Sequence, residues 1–87
     1  MSQSELPEDG ATADVPTEVA LLLREGFSPI RAWREHLGVT REELGELLGS
    51  SAAAVAQLEA AHAHPRGAML KKVAAALGLP DWERLRH

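Results

Sequence analysis

The sequence predicts a small all-α domain. Three features of its 87 residues carry that expectation: helix-start signals, apolar residues three and four apart, and a glycine at the end of most apolar stripes. They are densest at residues 39–59, VTREELGELLGSSAAAVAQLE. Thr40 followed by Glu43 is a capping box, in which a hydroxyl and a carboxylate satisfy exposed backbone donors, so a helix begins near Arg41. Leu44 and Leu48 share one face of that helix, and Gly49 ends it where a left-handed residue costs least. Ser51 caps a second helix, with Val55 and Leu58 facing inward and Ala52, Ala53, Ala54, Ala56 and Gln57 spread around the rest. So short a joint forces the two helices to cross steeply. Gly45, facing the joint, leaves room for close backbone approach, at about 1 kcal/mol of helix propensity lost relative to alanine.

The remaining elements follow in order. Residues 1–14 are polar, acidic and broken by Pro7 and Gly10, and are expected to form a disordered acidic arm. Residues 15–27 form an accessory N-terminal helix, with Pro16 in its first turn and Gly26 after its end; Val19, Leu22, Leu23 and Phe27 give it an apolar side, and Leu21 lies outside that stripe. The main domain is residues 28–87. Ser28 and Pro29 open a helix whose Ile30, Trp33 and Leu37 repeat on a core face up to Gly38. Trp33 belongs to the core rather than to a base-stacking platform, because the chain has no Tyr, one Phe and no interleaved basic run. Residues 67–77 form a further helix with Leu70, Val73, Ala74 and Leu77 inward and Gly78 as terminator. Leu79, Trp82 and Leu85 make a last apolar set that closes the core, with Trp82 as a dimer anchor the second reading.

Composition excludes several functions. A chain this short buries about 60–65% of the surface its unfolded form exposes, which leaves little room for a large substrate cleft and favours dimerisation. Without cysteine there are no disulfides, thiol nucleophiles or thiolate metal sites. No apolar run approaches the roughly 20 residues of a membrane span, and the start is acidic rather than signal-like, so a soluble cytoplasmic protein is expected. No nucleophile and base stand together and no phosphate-binding glycine loop is present, so no enzyme and no cofactor are expected. His62 and His64 are two apart, but with only His36 and His87 as further imidazoles they read as loop composition, not a metal site. The net charge of −4 is uneven: Glu5, Glu8, Asp9 and Asp14 lie in the arm, and from Val15 onward nine acids balance nine bases.

Residues 29–85, about two thirds of the chain, resemble the Cro/C1-type (xenobiotic-response-element) helix-turn-helix family of phage repressors and bacterial regulators. The matching residues are Ile30, Arg31, Trp33 and Arg34, then Val39, Thr40, Glu43, Leu44, Leu48 and Gly49. Ser51, Val55, Leu58, Glu59, Pro65 and Leu70 follow, with the run Val73, Ala74, Ala76, Leu77, Gly78 and Leu79 last. The opening SPIRAWREHLG, with a helix ahead of it, is most similar to the small antitoxin regulators that pair with RelE/ParE-type and HigB-type toxins. The resemblance implies a five-helix lambda-repressor-like DNA-binding bundle with an extra N-terminal helix. It also implies a homodimer on double-stranded operator DNA, a repressor role, and a basic toxin protein as a further partner.

By the same resemblance the second helix of the pair, residues 51–61, enters the major groove. Ala52, Ala53, Ala54 and Gln57 then face base edges, and Gln57 can bond both N6 and N7 of an adenine. Arg41, Ser51, Arg31 and Arg66 are the expected phosphate contacts, and Lys71 and Lys72 are expected to serve no DNA. Arg34 and Glu59 are implied as a structural ion pair. Where family members commonly have Asn-Gly after that glutamate, this chain continues Ala60-Ala61-His62, so the helix is expected to run on toward Pro65. Three alanines offer few donors. That keeps open a second reading, a protein-interaction module on the same scaffold with weak or lost DNA binding.

Overall fold

The fold is described by a computed structural model over residues 15–86. The arm 1–14 and His87 lie outside the described residues. Five α-helices follow in order: α1 (Thr17–Arg24), α2 (Pro29–His36), α3 (Arg41–Leu48), α4 (Ala52–Leu58) and α5 (Gly67–Leu77); a short 3-10 helix, Trp82–Leu85, closes the chain. There is no strand among the described residues. The architecture is the all-α, lambda-repressor-like bundle, with α1 added at its N-terminal side.

Local chemistry sets most of the boundaries. The Thr40 hydroxyl accepts from the Glu43 amide at 3.0 Å and the Glu43 carboxylate accepts from the Thr40 amide at 2.9 Å, which completes the capping box of α3. Ser28 caps α2 by accepting from the Arg31 amide at 3.3 Å, and Ser51 caps α4 by accepting from the Ala54 amide at 3.1 Å. Gly49 ends α3 in the left-handed region at φ 69°, where a Cβ would be strained.

The core gathers one face from every helix: Val19 from α1, Ile30, Ala32 and Trp33 from α2, Leu44 from α3, Val55 from α4, and Leu70, Val73, Ala74 and Leu77 from α5. Leu85 of the 3-10 helix seals it, and Leu79 and the half-buried Trp82 pack against its edge. α3 packs mainly on α4 and α5, while α1 rests on α2.

Three boundary expectations need correction. α4 does not continue to residue 61. It ends at Leu58 with Glu59 as its C-cap, and the ladder gives way to shorter bonds from Ala60 to the Gln57 carbonyl and from Ala63 to the Ala60 carbonyl. Leu37 is not a core residue. It lies one position beyond α2, where the chain turns toward Gly38, and is 42% exposed. In α1, Pro16 is the N-cap rather than a first-turn residue, and Leu23 is exposed, so Val19 is its one fully buried side chain.

Candidate nucleic-acid interface

The pose of α4 is set by two contacts, one with no side chain and one made of charges. A Cβ built on Gly45 would lie 2.8 Å from the Ser51 carbonyl carbon, 3.0 Å from its oxygen and 3.2 Å from the Ala52 nitrogen. α3 therefore lies directly on the backbone that enters α4. At the other end, Glu59 is buried, and Arg34 Nε and Nη2 donate to its two oxygens at 2.5 and 3.4 Å. Arg34 Nη1 donates to the Val39 carbonyl at 2.8 Å, which ties the same side chain to the entry of α3. Arg41 Nε also donates to Glu59, at 3.0 Å, so one buried carboxylate receives two guanidinium groups from two other helices. The third member of that cluster escaped the sequence reading. Arg41 and Glu59 are 18 residues apart with no local pattern joining them.

Held this way, α4 turns Ala53 and Gln57 outward on one face, four residues apart, while Ala52 and Ala54 are half-buried at its flanks. Ser51 stands exposed at the start of the helix. Of the four side chains expected to reach bases, two project fully and one of these, Gln57, carries hydrogen-bonding groups. Ala54 and Gln57 border an apolar hollow of about 250 Å³ floored by Leu48, Val55, Leu58 and Met69.

The four expected phosphate contacts fall into different states. Arg41 commits Nε to Glu59 yet keeps 40% of its side chain exposed. Arg31 stacks its guanidinium 3.9 Å above the Phe27 ring and donates to Glu35 at 2.7 Å, with 38% of its side chain exposed. Arg31 and Arg41 share a hollow of about 420 Å³ with Ala56 and Ala60. Arg66 is the exposed N-cap residue of α5 and has no ion-pair partner among the described residues. Lys71 lies 5.7 Å from the Trp82 ring, and Lys72 is exposed on α5. The described residues contain no group of three or more His, Asp or Glu able to hold a metal ion. No helix among them is long and apolar enough to cross a membrane.

Two short capped helices crossing through a glycine contact, the second presented outward on an all-helical body, define a helix-turn-helix module of the DNA-binding class. The helix-turn-helix family model of the Cro/C1 type matches residues 30–81, more than half of the chain. The chain belongs to that family, which is one of DNA-binding transcription regulators. Neither the curated proteins nor the solved structures give a significant match.

Proposed function

We propose that this protein is a sequence-specific transcriptional repressor that binds operator DNA as a homodimer, with α4 in the major groove. The observation that carries this reading is the outward face of Ala53 and Gln57 on a helix anchored at both ends. In this arrangement Gln57 reads an adenine through N6 and N7, Ala52, Ala53 and Ala54 offer methyl contact to thymine, and Arg41, Ser51, Arg31 and Arg66 hold phosphates. Arg41 serves twice, with Nε on Glu59 and its terminal nitrogens turned to the backbone of the duplex.

The test is binding of the full chain to DNA from its own promoter. Gln57→Ala should lose about 1–3 kcal/mol of discrimination at a single A·T position while still binding unrelated DNA as before. Arg41→Ala should weaken binding to every sequence alike and lower the salt slope by about one. Native binding that is equally tight on all sequences, or absent, sinks the proposal.

A second reading, an interaction module without DNA, draws on the exposed carboxylates of Glu42, Glu43 and Glu46 along α3 and on an α4 that bears no charge from Ala52 to Leu58. It expects indifference to both substitutions. The narrower role of an antitoxin held on a basic toxin draws on the resemblance of SPIRAWREHLG and the helix ahead of it, and it is tested by co-purification with the product of a neighbouring gene.

A further inference from the structure

Leu47 is the most exposed large apolar side chain among the described residues, with 61% of its surface in water. It forms a ridge between two shallow depressions. One, of about 450 Å³, is lined by Gly38, Val39, Glu43 and Glu46 beside Leu47. The other, of about 370 Å³, is lined by Leu48, Lys72, Ala75 and Ala76 on its far side. The two differ in charge: carboxylates mark the first and an ammonium group the second. Glu46 and Lys72 have no ion-pair partner among the described residues, with each other or with any other group.

An apolar ridge with an acidic half on one side and a basic half on the other is complementary to itself under a two-fold rotation about an axis parallel to the ridge and displaced toward its basic side, because that rotation brings the acidic side of each copy toward the basic side of the other. We propose that this face of α3 and α5 is a dimer interface between two copies of the chain. Each Leu47 seats against Leu48, Ala75 and Ala76 of the partner, and each Glu46 meets the partner's Lys72. The charge pattern selects this occupant. A nucleic acid or an anionic membrane would meet Glu43 and Glu46 with like charge, and a uniformly basic protein would meet Lys72 in the same way. Ala53 and Gln57 line neither depression. The inference gives a surface to the two-copy arrangement proposed above, but it is read without DNA and is tested without it.

The experiment is sedimentation equilibrium of the full chain over a concentration series, with helicity followed by circular dichroism for each variant. The native chain should dimerise reversibly. Leu47→Glu should raise the dimer dissociation constant by about tenfold or more, because it places a carboxylate at the centre of the contact. Glu46→Lys and Lys72→Glu should each weaken the dimer by about three- to tenfold, and the two together should return it to within about twofold of native. Both of these residues are exposed, so the charge cycle decides the matter even if Leu47→Glu fails to fold. A native chain that stays monomeric, a Leu47→Glu variant as tight as native, or a double reversal no tighter than the single ones overturns the interface. A dimer that forms as expected while native chain ignores promoter DNA counts against the repressor reading and leaves the interface standing.

Discussion

Glu59 is the residue on which the placement of α4 turns. Its side chain is 2% exposed, so its charge is sustained by its partners rather than by water. Arg34, 8% exposed, supplies most of the compensation, and it also bonds the Val39 carbonyl. Replacing Arg34 by methionine leaves the buried carboxylate with the solvent-screened Arg41 alone and takes the side-chain donor from the Val39 carbonyl. The expected loss is about 3–5 kcal/mol of unfolding free energy, measured by urea denaturation. Arg41 shares the same carboxylate from a position 40% exposed, where solvent screens the pair. Arg41→Ala should therefore cost about 1 kcal/mol or less, since Glu59 keeps Arg34. The asymmetry is the test: equal losses at the two arginines would mean that Glu59 is not held as described. It also makes Arg41→Ala a usable DNA-binding variant, because the fold survives the change.

At the scale of the element, the joint between α3 and α4 is built for a glycine. Gly45→Ala gains about 1 kcal/mol of helix propensity, but the new methyl meets the Ser51 carbonyl carbon at 2.8 Å. The obstructing atoms are backbone and cannot rotate aside, so α4 has to shift, and overpacking of this kind costs about 1–3 kcal/mol. The strain outweighs the propensity. Melting temperature should fall by about 5 °C, and DNA affinity should fall further than stability alone explains. An unchanged or raised melting temperature would show that the helices are not in contact at this point. This joint was legible in the sequence because its signals are local: Thr40 with Glu43, Gly49, and Ser51 lie within a few residues of the bonds they make. The end of α4 was not legible in the same way. Ala60 and Ala61 favour continued helix, but Glu59 is drawn to arginines on α2 and α3, and no local pattern reports a contact across 18 or 25 residues. Leu37 misled for a related reason. Its spacing from Ile30 and Trp33 suits a helix that continues, whereas α2 ends at His36.

At the scale of the whole molecule, the charge arrangement sets how the protein meets a polyanion. The net charge is −4, yet the four acids Glu5, Glu8, Asp9 and Asp14 precede the folded body, in which bases and acids balance. A neutral body with Arg31 and Arg41 half-exposed next to Ala56 of α4, and Arg66 exposed at the start of α5, can gain counterion release on DNA. The first fourteen residues work against it, since carboxylates carried on the same chain repel phosphates over a Debye length of about 10 Å at 0.1 M salt. The sign of their effect follows. Changing Glu5 and Glu8 to glutamine and Asp9 and Asp14 to asparagine should raise promoter affinity by about two- to fivefold at low salt, mainly through faster association. Near 1 M salt, where the Debye length is about 3 Å, the native and neutralised chains should bind alike. Association rates over a salt series check this. Affinity unchanged at low salt would mean that these carboxylates are kept away from the duplex, and affinity reduced by neutralisation would mean that they take part in binding.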